Sequence, residues 1–406
     1  MKLHRWFGVG AAFVVAGVAA ASCVDDDDCA RTATCECDTD EQCASLEADE
    51  CFVPVCLPNG CGTEPAAQGT ACSIGVCNGV GICVEDTGNG GSGGGTTTCV
   101  ADLMTDPLNC GQCGHDCLGG ECLAGMCQPV LLGAEVGSLS FNVVVVGDNL
   151  YWVSGDGNGL SAVVGLPTAG GTMEVLGDLG AEGRAVAVVA DSIFATALAA
   201  EFDGGLYRMP ITGGVPAKES LNHFAATGLY RDADALYYTE RAEGLIVRAP
   251  FGGAFPTTIA SGQNDPYWVA GNSTHLFWTR LGDGVVVRYE KQGGVEEVFA
   301  TGNDNPGYID ASEESVCWAD ASTLRCATPA GASVNSVLVP YANIAVDGTD
   351  VYWMDGTALW RSPASDLTQA TQVVSTIVKG HLAIDAEAIY WVGSNAGAYK
   401  LAKPPQ

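Results

Sequence analysis

The sequence predicts an all-β chain, a seven-bladed β-propeller preceded by small disulfide-rich modules, and three observations carry the prediction. A unit of apolar strand, acidic turn, aromatic pair and second hairpin, clearest from Ile344 to Trp353, recurs in six further copies between Phe141 and the C-terminus. Cysteine is partitioned, with 17 of 19 residues at or before Cys127. The last repeat is one strand short, and a matching strand stands just ahead of the first. Repeats of this size cannot each bury a core, so they stack, and four short strands per repeat stack as propeller blades.

Residues 1–22 read as an export signal. Lys2 and Arg5 form a basic start, and the apolar run from Phe7 to Ala21 is shorter than the roughly 20 residues a spanning helix needs. The run ends in Ala20, Ala21, Ser22 and Cys23, which resembles the lipobox of bacterial lipoproteins. That resemblance implies acylation of Cys23 and attachment to an outer membrane or cell surface by the lipid alone. Cysteine parity agrees: beyond Cys23, ten lie from Cys29 to Cys83, six from Cys99 to Cys127, and two are Cys317 and Cys326. Ordinary cleavage after Ala21 would instead leave an odd thiol. Acids outnumber Lys and Arg 48 to 17, for a formal charge of −31. Such a balance excludes nucleic acid, whose phosphates need clustered cations, and suits a soluble monomer on a crowded cell exterior.

Residues 23–28 form an acidic tether. Asp25 to Asp28 lack the alternation and glycine turn of a calcium loop, so they read as a spacer. From 29 to 85 the residues between cysteines are small and polar, too little apolar surface to offset chain entropy without disulfides. Residues 86–98 are a glycine-rich linker. In the second module, 99–128, the spacing of Cys110 and Cys113 with His115 and Cys117 also suits zinc. An oxidising export route and the even count favour disulfides, and no metal or cofactor is expected. Asp106 to Cys117, followed by Cys122 and Cys127, resembles the Cys-rich module of stigma-specific-type proteins and of predicted lipoproteins from Gram-negative soil bacteria. It implies a secreted or surface setting and no reaction.

Residues 129–406 hold the repeats. The aromatic pairs are Tyr151-Trp152, Ile193-Phe194, Tyr237-Tyr238, Phe277-Trp278, Cys317-Trp318, Tyr352-Trp353 and Tyr390-Trp391, at intervals of 42, 44, 40, 40, 35 and 38 residues. Paired glycines at 170–171, 213–214, 252–253 and 293–294 predict two-residue hairpins, and Ser365-Asp366 predicts a different turn in copy six. Val130 to Leu132 is expected to supply the strand that the seventh copy lacks, pairing with Tyr399 to Lys403 and closing the ring. Cys317 and Cys326 are expected to bridge neighbouring strands of one hairpin. The aromatic pairs, with Trp318-Ala319-Asp320 and Trp353-Met354-Asp355 nearest the pattern, resemble the YWTD class of extracellular propellers. That class typically has six blades, and seven is the count of some NHL-like and lyase-like propellers, so the resemblance implies the blade and no function. The tryptophans of the pairs read as blade-to-blade packing.

A site is expected at the channel mouth, where the inner strands begin. Ten residues before the second member of each pair stand Asn142, Arg184, Gly228, Trp268, Tyr308, Asn343 and His381. Asn142, Arg184, Trp268, Tyr308, Asn343 and His381 are the candidate ligand-binding set, mixed polar and aromatic as a glycan, peptide or protein site requires. Solvated loop ends are the plainer alternative. Asp156, Glu240, Asp283, Asp320 and Asp355, in loops opening on the same face, suggest an acidic rim. The chain carries no nucleophile elbow, zinc-protease motif, phosphate loop or dinucleotide fingerprint. A binding protein is therefore the leading reading. A lyase or hydrolase using His381 with Arg184 and Tyr308 is the alternative, and a purely structural surface protein is the third.

Overall fold

The computed structural model describes residues 51–57, 60–65, 71–72, 75–77 and 83–85, and residues 102–405 except 135–138, 199–203, 220–222, 252–254, 332–333, 340–342, 376–379 and 394–396. The signal segment, Cys23, linker 86–98 and the glycine pair at 252–253 lie outside the described residues. No helix among the described residues is long and apolar enough to cross a membrane. The chain divides into two compact units, 1–100 and 101–406. In the first, Phe52–Leu57 pairs with Gly60–Pro65, placing Cys56 opposite Cys61, and a three-stranded sheet places Cys77 opposite Cys83.

The second unit contains seven four-stranded antiparallel sheets. Blade one spans 139–178, two 182–218, three 226–260, four 266–300, five 309–338 and six 343–375. Blade seven has three strands within 380–402, and Val130–Gly133 is its fourth. Leu131 stands opposite Tyr399 and Val130 opposite Lys400, so the two ends of the repeat region share one sheet, as expected from the short last copy. The second strand of a blade is sandwiched between neighbouring sheets, which is why Ala235–Glu240 and Ala388–Gly393 are buried along their whole length rather than on alternate residues. Trp152, Trp278 and Trp318 are fully buried, and Trp353 and Trp391 nearly so, filling the spaces between blades. Cys317 and Cys326 are directly opposite and joined, clamping one hairpin of blade five.

The first two glycine pairs do something other than close two-residue hairpins. The connection between Ser161–Pro167 and Glu174–Asp178 is longer than that, and Gly171 N–H donates to Leu132 O at 3.2 Å across the blade boundary. Gly214 N–H repeats this on Leu176 O at 2.8 Å. Gly170 and Gly213 have φ of 84° and 89°, and a Cβ at Gly213 would lie 2.9 Å from Leu176 O. Glycine is needed at these two pairs because the turn rides against the outer strand of the preceding blade. At 293–294 the turn bonds within itself, Gly294 N–H donating to Glu290 O at 2.9 Å. Copy six, which lacks the glycines, makes a 3-10 turn at Leu367–Gln369 capped by Asp366.

Residues 102–128 of the second Cys-rich module belong to this unit. Disulfides join Cys110 to Cys122 and Cys117 to Cys127, and Cys113 is disulfide-bonded as well. The sulfurs of Cys110, Cys117 and Cys127 lie within 4.8 Å of one another, a stack of bridges rather than a set of free thiolates. These cystines share one core with Tyr352, Met354 and Leu359 of blade six and Trp391 and Leu401 of blade seven. His115 fastens the module to the chain end: its Nδ1 lies 2.7 Å from Cys110 O and its Nε2 2.7 Å from Lys403 O.

Candidate functional site

The mouth of the channel is shaped by β-bulges. In blade one the register shifts between Trp152 and Val153, leaving Asn142 unpaired with φ of 36°, a conformation Asn tolerates. Equivalent shifts occur at Gly183/Ala185, Ala226/Leu229 and Pro266/Val269 in blades two to four. An extra residue in one strand re-aims the side chains beside it, here toward the lumen. The N–H groups that the bulges remove from the ladder find threonines: Ala185 N–H donates to Thr196 Oγ1, Gly228 N–H to Thr239 Oγ1 and Trp268 N–H to Thr279 Oγ1, at 2.9–3.1 Å.

This alignment corrects one member of the expected set. Thr196, Thr239 and Thr279 are equivalent, so Ala185, not Arg184, is the blade-two counterpart of Gly228 and Trp268. The aromatic pair of blade two is accordingly one residue later, Phe194-Ala195, and the repeated threonine was the signal that identifies it. Arg184 lies beside the mouth, stacked 5.0 Å from the ring centroid of Phe141 and ion-paired with Glu182 at 2.6 Å.

Asn142, Trp268, Tyr308, Asn343 and His381 line one cavity of about 200 Å³. Its wall is aromatic. Trp268 and Tyr308 meet edge to face with centroids 4.9 Å apart, Tyr308 and His381 at 5.0 Å, and Tyr267 lies 6.0 Å from Tyr308. Tyr308 Oη is 3.4 Å from His381 Nε2. A Cβ at Gly228 would lie 2.6 Å from Trp268 Cα, so glycine there lets the inner strands of blades three and four approach closely. Burial draws the His381 pKa down to about 4, so the ring is neutral at neutral pH, and burial raises the Tyr308 phenol well above its usual value.

Sequence reasoning missed the next layer down. Tyr230 and Asp310 also line the cavity, where blades one, four, six and seven place Val144, Ala270, Ala345 and Ala383 at the equivalent position. Asp310, on the inner strand Ile309–Ala311, stands two residues past Tyr308, and both line the cavity. It accepts from Ala311 N–H at 2.9 Å and from Val346 N–H of the next blade at 2.8 Å. Burial raises its pKa to about 6.

The expected acidic rim is not an open ring of charge. Asp320 is buried and paired with Arg325, Asp283 pairs with Arg280, and Glu240, fully buried, caps Ala225 N–H. Asp156 and Asp355 accept from backbone N–H groups of their own turns. Each acid is taken up in building its loop.

No protein-family model matches the sequence, and no curated protein does either. Solved structures share the fold. A catalytically inactive virginiamycin B lyase from Staphylococcus aureus with quinupristin is 15% identical, with a TM-score of 0.54 over 68% of this chain and 99% of that one. A streptogramin B lyase is 12% identical with a TM-score of 0.54, over 68% of this chain and 97% of that one. YCF48 bound to D1 peptide is 10% identical with a TM-score of 0.53, again over 68% and 97%. At these identities the likeness is one of fold alone.

Proposed function

We propose that this protein is an exported, lipid-anchored binding protein of the cell surface or outer membrane, and that its propeller takes one small group of a larger ligand into the channel mouth. The observation that supports this is the convergence of Trp268, Tyr308, Asn142, Asn343 and His381 on one cavity. Its volume of about 200 Å³ falls below the roughly 300–1,000 Å³ of sites that enclose a drug-sized ligand, so it suits a single sugar ring or side chain. The anchor rests on Ala20 to Cys23 and on cysteine parity. Glycan and peptide arrays probed with the full chain test the reading: hits that vanish with Trp268→Ala support it, and hits indifferent to both Trp268→Ala and Tyr308→Ala overturn it. Labelling by a fatty-acid analogue, lost in Cys23→Ser, tests the anchor.

The Tyr308–His381 contact favours a second reading, a lyase or hydrolase with neutral His381 as general base. Arg184, its expected electrophilic partner, is instead held by Glu182 beside the cavity. Full turnover of a screened substrate by His381→Ala would remove this reading.

A further inference from the structure

The cavity at the channel mouth has aromatic walls and one ionisable carboxylate in its floor. Among its lining residues there is no lysine or arginine, and Asp310 is the sole acid. Both Asp310 oxygens already accept a backbone N–H, which fixes the carboxylate in place, and no cationic side chain among the described residues pairs with it. A charge held away from water without a counter-ion is costly, and a cation from outside would complete it. The titratable groups that line the cavity with it are Tyr230, Tyr308 and His381, two phenols and a neutral ring, none of which supplies positive charge.

We propose that the cavity binds an alkylammonium group, its methylene or methyl carbons against the faces of Trp268 and Tyr308 and its charge toward Asp310. This rests on the reading of the mouth as a ligand site. Aromatic rings meeting edge to face around a small space present the negative π-faces that recognise ammonium groups, methylated ones above all. A metal ion fits poorly, because one carboxylate falls far short of the six to eight oxygens calcium takes. A guanidinium fits less well too, since its planar fork asks for both carboxylate oxygens at once and each already accepts a backbone N–H. The alkylammonium comes to such a site as a lysine side chain or as a choline head group.

The test is calorimetric titration of the full chain with Nα-acetyl-Nε-trimethyllysine methylamide, the unmethylated lysine form, the neutral norleucine analogue and phosphocholine. The trimethyllysine probe is expected to bind at least tenfold more tightly than norleucine, and to lose tenfold or more in Asp310→Asn. That variant keeps an oxygen for Val346 N–H, and Trp268→Leu provides the same test should it fold poorly. A preference for phosphocholine supports the alkylammonium and assigns it to a head group. Equal binding of norleucine, or affinity unchanged in both variants, overturns the cation while leaving the mouth a ligand site. Silence of every probe together with empty glycan and peptide arrays overturns the site itself.

Discussion

The ring is held together differently in its two arcs. From blade two to blade five each boundary is latched by a buried threonine that accepts the bulge N–H of its own blade and donates to the next: Thr196 to Thr227 O at 2.5 Å, Thr239 to Tyr267 O at 2.8 Å and Thr279 to Gly307 O at 2.8 Å. A second device accompanies the first. Tyr238, Trp278 and Trp318 each meet a polar side chain fifteen residues earlier, His223, Gln263 and Asn303. Across blades six, seven and one no such threonine stands among the described residues, and the indole N–H groups of Trp152 and Trp391 have no partner among them. There the borrowed strand 130–133, the disulfide module and the His115 contact to Lys403 O do the holding. Two channel residues mark the junctions, Asn142 reaching Val186 N–H and Asp310 reaching Val346 N–H. Repetition allows one hydrogen-bonded solution to be copied, whereas the place where the two chain ends meet needs its own.

The largest effect that tests this contrast is a comparison of disulfides. Cys117–Cys127 and Cys317–Cys326 close loops of nearly equal length, sequence separations of 10 and 9, so chain entropy assigns them similar stabilisation, about 2–3 kcal/mol each. Both bridges are buried in cores between elements, yet Cys117→Ser with Cys127→Ser should cost more. Cys317 and Cys326 stand on neighbouring strands whose ladder remains without the bond, whereas the strand-poor module depends on its disulfides to stay in the core it shares with blades six and seven. Urea unfolding of the two double variants measures the difference. Equal losses would break the contrast.

The junction at Asp310 gives the next effect, through pH. Its folded pKa of about 6 exceeds the usual 3.8, so between those values the native state holds the extra proton and stability falls as pH rises. His381, at about 4 against 6.5, works the other way: the native state holds fewer protons, and stability rises across nearly the same window. The Asp310 contribution is on the order of 3 kcal/mol at its upper bound. Asp310→Asn should therefore leave stability climbing from pH 4 to 6.5, and raise it at pH 7, whereas His381→Gln should leave it declining. Thermal unfolding across that range reads both slopes, and a profile unchanged in either variant contradicts the burial argument.

How far the sequence could be read follows from what repeats. Blade number, the borrowed strand and the Cys317–Cys326 bridge were legible because strand period, copy length and cysteine spacing are properties of chain order. Five of six candidate mouth residues also reach one cavity. Arg184 did not, because a hydrophobic pattern places a bulge only to within one residue, and Ile193 imitates the aromatic position. The paired glycines announced a turn, but the reason for those at 170–171 and 213–214 is a neighbour in the preceding blade. Asp310 broke an Ala and Val pattern visible in the copies, yet its place in the channel floor depends on how seven sheets pack around an axis.

The smallest effect concerns a single latch. Thr279 is fully buried and its Oγ1 serves two backbone groups, Trp268 N–H at 3.1 Å and Gly307 O at 2.8 Å. Thr279→Val keeps the shape and strands both, at a cost of about 1–2 kcal/mol in urea unfolding. Because the stranded N–H belongs to Trp268, the same change should loosen the mouth wall and weaken trimethyllysine binding several-fold. His115→Phe, which removes the seam's own tie to Lys403 O, should cost about 1 kcal/mol and leave that binding unaltered. A latch variant that loses stability without touching the mouth would mean that the threonines hold blades together and do not shape the site.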